Sequence, residues 1–87
     1  MVVYGRAEAR LMGHKNFDPE YVFHHHHATP EKVAKYNAIH AAAQSFAEVL
    51  LAHTPEGADQ DAALRLLRET AMMANAAIAL DGRFTKA

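Results

Sequence analysis

Four consecutive imidazoles, His24, His25, His26 and His27, are the densest chemical feature of the sequence, in the stretch YVFHHHHATP. Imidazoles ligate metals, donate hydrogen bonds to anions and gain a proton near neutrality. A metal site needs ligands that converge on one ion. In an extended segment alternate side chains face opposite ways, so His24 pairs with His26 and His25 with His27. Two imidazoles make half of a zinc site, and the chain has no cysteine to complete it. Neither a resident metal nor a cofactor is expected. The other chemistry open to the run is a ligand wall. An extended YVFHHHH places Tyr21, Phe23 and His25 on one face and Val22, His24 and His26 on the other. Aromatic faces suit a nucleobase and imidazole N–H groups suit a phosphate. The plainer alternative is that Tyr21 and Phe23 cover apolar helix surface.

Catalysis finds little support. No nucleophile elbow, phosphate-binding loop, zincin helix or GxGxxG turn occurs, and the single serine, Ser45, falls within a helical pattern. The chain is expected not to be an enzyme. A net charge of −1 with neutral histidines leaves no basic field for duplex nucleic acid. Seven histidines nevertheless make a local anion site feasible below neutral pH, since an unperturbed imidazole titrates at about 6.5. No apolar run reaches the roughly 20 residues of a membrane span. MVVYGRAEAR is too polar and charged for a signal peptide, so a cytosolic setting is expected.

The elements that would position these groups follow from the patterning. Eighty-seven residues allow one domain, with a core thin enough to favour self-association. Residues 1–28 form an irregular N-terminal segment, with Gly5, Gly13 and Pro19 as breakers and Asp18-Pro19 as the start of one short helical turn. A first helix over about 30–53 opens at Thr29-Pro30-Glu31 and carries Val33, Tyr36, His40, Ala43, Phe46, Ala47, Leu50 and Leu51 on one stripe. A turn follows at Pro55 and Gly57. A second helix over about 59–80 ends at Gly82, with Leu64, Leu67, Ala71, Ala74 and Ile78 on one stripe and Leu66, Met73, Ala77 and Leu80 on another. Nineteen alanines permit close helix approach. The spacing predicts an all-α chain, a long antiparallel helical hairpin occupying residues 29–82. One stripe of the second helix can face its partner, and AMMANAAIAL has a single polar residue, Asn75, so the other stripe is expected to be buried in a symmetric homo-oligomer, the alternative being a monomer whose N-terminal segment folds back over it.

These residues also resemble a known family. An aromatic–x–aromatic–His element (Tyr21, Phe23, His24), a helix-opening tyrosine (Tyr36, with Ile39), the turn Pro55-Glu56-Gly57 and the helix end Ala74-Asn75-Ala76 with Ile78-Ala79 look like the hairpin domain of the phage-encoded cyclic-oligonucleotide sponges. These are the anti-CBASS and anti-Thoeris sponge proteins. The resemblance spans roughly residues 21–80. It implies a non-catalytic protein, a homo-oligomer and often a hexamer, that sequesters cyclic dinucleotides, and in some members trinucleotides, in the cytoplasm of the infected bacterial host. Carried over residue by residue, it implies ligand contacts from Tyr21, Phe23, His24, Tyr36 and His40; His26 is added by its place on the His24 face of the extended run. His40 stands where relatives carry arginine or lysine. Ala58 replaces an arginine after the turn and Asp61 a serine, which argues against the added trinucleotide pocket. Arg65 and Arg68 are the cations placed to compensate. A structural helical oligomer without a nucleotide, and a histidine-cluster metal protein, are the competing readings.

Overall fold

The computed structural model describes residues 16–86. Among the described residues three helices occur, α1 (Pro19–Phe23), α2 (Pro30–His53) and α3 (Ala58–Ala79), and no strand. The irregularity expected of the N-terminal segment lies, over residues 1–15, outside the described residues. The rest falls into two compact units. One contains residues 16–26 and 83–86, the other His27–Gly82.

The larger unit is an antiparallel hairpin of α2 and α3. Thr29 starts α2 from an extended backbone, its hydroxyl accepting the Lys32 N–H at 3.2 Å, and Pro30 follows where a missing N–H costs nothing. At the far end Thr54 donates twice to the Leu50 carbonyl, from its N–H at 3.0 Å and its hydroxyl at 2.6 Å. Buried Gln60 then reaches back from the first turn of α3 and donates to the Thr54 carbonyl and hydroxyl, each at 3.0 Å. Those bonds satisfy the amide of a side chain that burial takes out of water.

Burial along the helices locates the seam. On α2 the half-buried positions are Lys32, Tyr36, Ile39, Ala43, Ala47 and Leu50; on α3 they include Leu64, Leu67, Ala71, Ala74 and Ile78. The α3 stripe is the one predicted from its spacing. On α2 the prediction needs correction: Val33, His40, Phe46 and Leu51 are exposed flanks of the seam. Apolar residues span a wide arc of α2, and a single partner helix covers only its centre. The second α3 stripe lies about 130° round from the first, at 100° per residue. There Leu66 and Met73 are 54% and 65% exposed, and only Leu80 is buried. No residue of α2 is fully buried.

The C-terminus of α3 closes through a motif only half visible in the sequence. Asp81 N–H bonds the Ile78 carbonyl and Gly82 N–H the Ala77 carbonyl, the 5→2 and 6→1 pair of a Schellman stop. The left-handed residue that this stop requires is Asp81, at φ 56°, with Gly82 at φ 73° following it. Gly82 was the residue predicted to stop the helix; it takes the next position instead. Aspartate is among the few residues with a side chain that tolerate this region. Here its carboxylate lies 3.4 Å from the Lys32 ammonium, which also donates to the Ala79 carbonyl at 3.1 Å. A cation from the start of α2 thus caps the negative end of α3.

The Lys32 clamp is open to direct test. Lys32→Met keeps the aliphatic stem and removes the charge. We expect a loss of about 1 kcal/mol, read as a fall in Tm of roughly 4–8 °C. Adding Asp81→Asn should then cost little more, because both changes remove one interaction. An unchanged Tm in Lys32→Met would contradict the clamp.

Candidate ligand-binding site

The smaller unit is built around α1. Asp18 caps it, its carboxylate accepting the Glu20 N–H at 3.0 Å, and Pro19 occupies the first turn. The helix runs through Tyr21, Val22 and Phe23, so the extended geometry predicted for these three does not occur. In a helix, residues two apart point about 200° apart, so Tyr21 and Phe23 diverge where a strand would align them. The backbone turns extended only at His24. From there the alternation operates: the His24 and His26 rings are 6.4 Å apart.

His26 has a defined structural task. Its Nε2 lies 2.6 Å from the Tyr21 carbonyl oxygen. A carbonyl only accepts, so Nε2 carries the proton and the imidazole caps an open end of α1. Its ring also meets Tyr21 edge-on at 4.8 Å. Nδ1 is the atom left for any further partner. Tyr21 itself is buried, whereas Phe23 is 79% exposed. The Phe17 ring lies 6.2 Å from Phe23 and 5.5 Å from Phe84. The Asp18 N–H donates to the Phe84 carbonyl at 2.7 Å, which ties the C-terminal residues to the start of α1.

On the hairpin, Tyr36 is half-buried in the seam and His40, one turn on, is exposed. Asn75 crosses from α3 and donates its amide N–H to His40 Nε2 at 3.2 Å. That geometry selects the neutral imidazole protonated on Nδ1. The Asn75 Oδ1 is buried without a partner. Arg65 and Arg68 are exposed on α3, ten and seven residues from Asn75. At 1.5 Å per residue that is about 15 Å and 10 Å along the axis, so the hairpin separates them from His40. An open depression of about 420 Å³ is lined by Lys32, Lys35, Ala77, Ile78 and Asp81 and includes none of the predicted ligand residues. Among the described residues no three histidine, aspartate or glutamate side chains converge as a metal site would require.

The sequence reading missed four participants: Lys32, Asn75 as the partner of His40, Phe84 and Arg83. In the sequence Asn75 stands out as the one polar residue of an apolar helix end and as part of the Ala74-Asn75-Ala76 element, with nothing that names His40 as its partner. An isolated amide facing a stripe that carries a histidine is the signal from which the pair could have been found.

A family model described as the Acb2/Tad1 hairpin domain matches residues 18–79. The chain belongs to this family. Its members are the phage anti-CBASS and anti-Thoeris sponges, a family of binding proteins. No curated protein and no solved structure matches the chain. The Acb2/Tad1 match opens on the Asp18 cap of α1 and closes on Ala79, the last residue of α3, so it takes in α1, the histidine run and the whole hairpin.

The cap on α1 yields a prediction. His26→Ala removes a donor from a five-residue helix that has few bonds to lose. We expect amide exchange in α1 to accelerate about five- to tenfold, the equivalent of roughly 1 kcal/mol of local stability, with α2 and α3 unaffected. Unaltered protection of α1 would contradict the assignment of His26 as a cap.

Proposed function

We propose that the chain is a non-catalytic sponge that binds and holds cyclic oligonucleotide messengers, cyclic dinucleotides foremost, in the cytoplasm of a phage-infected bacterium. Sequestration deprives the CBASS- or Thoeris-type effector of its activator. What supports this reading is membership of the sponge family over residues 18–79. The proposed ligand-binding residues are Tyr21, Phe23, His24 and His26 around α1, and Tyr36, His40, Arg65 and Arg68 on the hairpin. Phe23 supplies the stacking face, because an apolar ring 79% exposed has most of its surface left for a partner. His24, the Nδ1 atom of His26, and His40 supply polar contacts to phosphate or base. The hairpin, residues 29–82, is the assembling part, and residues 1–28 contribute the aromatic and histidine groups. Among the described residues no helix is long and apolar enough to cross a membrane.

Assembly belongs to the same proposal. Leu66 and Met73 present an apolar stripe on α3, with Phe46 and Val49 exposed on α2. Burying one such side chain is worth about 1.5–3 kcal/mol. A second copy of the hairpin is the occupant proposed for this surface, and a homohexamer is the state the family reading favours. Met73→Glu places a charge on the stripe without touching the seam. We expect it to dissociate the assembly to smaller species in sedimentation equilibrium; an unaltered mass would exclude the stripe as the interface.

Isothermal titration against cyclic di- and trinucleotides tests the function itself. At least one cyclic dinucleotide should bind with a Kd of about 1–100 nM, that is roughly 9–12 kcal/mol. Where histidines meet phosphate, the anion stabilises the imidazolium and binding takes up protons. Affinity therefore rises as pH falls from about 8 to about 6. A flat profile would mean neutral donors or stacking surfaces. No heat with any member of the panel would leave a structural oligomer as the better reading.

A further inference from the structure

We propose that Arg83 is an anion-binding residue of the α1 unit and reads a phosphate of the nucleotide ligand; the proposal rests on the sponge reading and adds a residue to its site. The guanidinium carbon of Arg83 stands 5.7 Å from the centroid of the Tyr21 ring. A cation–π contact of this kind uses none of the five N–H donors of the guanidinium, whose fork suits phosphate. Arg83 is exposed, and its guanidinium forms no ion pair among the described residues. Two further contacts hold it in place. Phe84, its neighbour, is fixed by the Asp18 N–H on its carbonyl at 2.7 Å and by the Phe17 ring at 5.5 Å. The same Phe17 lies 6.2 Å from Phe23, the exposed ring of this unit.

The unit therefore combines an open stacking face with a preorganised, unneutralised guanidinium, the two chemistries a nucleoside phosphate requires. The guanidinium donors are uncommitted among the described residues, whereas two of the histidines each have one ring nitrogen already engaged. His26 has committed Nε2–H to the Tyr21 carbonyl, and His40 Nε2 is occupied by Asn75. A guanidinium stays charged throughout the physiological range, so its contribution does not depend on protonation. Residues 21 and 83 are far apart in the chain, and only the return of the C-terminal residues to α1 brings them together.

Arg83→Gln keeps a planar group for Tyr21 and removes the charge. With circular dichroism and Tm as controls for folding, its affinity for the cyclic dinucleotide that the wild type binds best should fall roughly 10- to 100-fold. The fall should be equal at pH 8 and pH 6. Arg83→Lys, which keeps charge without the fork, should lie between the two. Folded Arg83→Gln binding within twofold of wild type would overturn the proposal while leaving the sponge reading intact. A wild type that binds no member of the panel would overturn both. Should Arg83→Gln fail to fold, Arg83→Lys decides: about a tenfold loss supports the forked contact, and wild-type affinity overturns it.

Discussion

Two helices packed side by side can shield only the stripe that each turns toward the other. In this chain that geometric limit governs the rest. The seam is made of small and medium side chains, Ala43, Ala47, Ala71 and Ala74 among them, which bring the helices close but bury little area apiece. No residue of the 24-residue α2 is fully buried. Hydrophobic burial along the seam therefore cannot by itself fix the register or the ends. Polar clamps take that role at both ends of the hairpin: Gln60 on Thr54 at the turn, and Lys32 on Ala79 and Asp81 at the open end.

The same limit links stability to function. Apolar surface that one partner helix cannot reach, at Phe46, Leu66 and Met73, is available for association. Polar groups within the seam carry a different consequence. Asn75 is held between helices with one amide atom on His40 and its oxygen unpartnered. A buried orphan acceptor costs about 1–3 kcal/mol. The α1 unit follows similar logic. A helix of five residues is too short to persist on propensity. It persists through Asp18 at one end, His26 at the other and ring contacts with Phe17.

Much of this was legible in the chain, for local reasons. Thr29-Pro30 and Asp18-Pro19 mark helix starts because capping depends on a few adjacent residues. The α3 seam could be read because Leu64, Leu67, Ala71, Ala74 and Ile78 repeat at steps of three and four. What escaped depends on pairing across long separations. Nothing in the sequence around Lys32 indicates that Asp81 will be its partner, or that Asp81 will take the left-handed position ahead of Gly82. Tyr21 and Phe23 were aligned on an extended segment because alternating aromatics suit a strand, yet the Asp18-Pro19 start already favoured a helix. The histidine run looked uniform, but its members differ: His26 is a cap, whereas His24 follows the helix end. Residues 83 and 84 lie beyond the family match and beyond any periodic pattern, so their place beside α1 left no trace in the sequence.

A sponge differs from an enzyme in what it returns. The most direct measurement of the proposed function is therefore to load the protein with a stoichiometric amount of the cyclic dinucleotide proposed as its ligand, remove what is unbound, denature by heat and analyse the released nucleotide by mass spectrometry. The account predicts that the cyclic dinucleotide is recovered intact and in full after prolonged incubation, and that it again activates its effector. Recovery of a linearised or hydrolysed product, or no retained ligand, would contradict it.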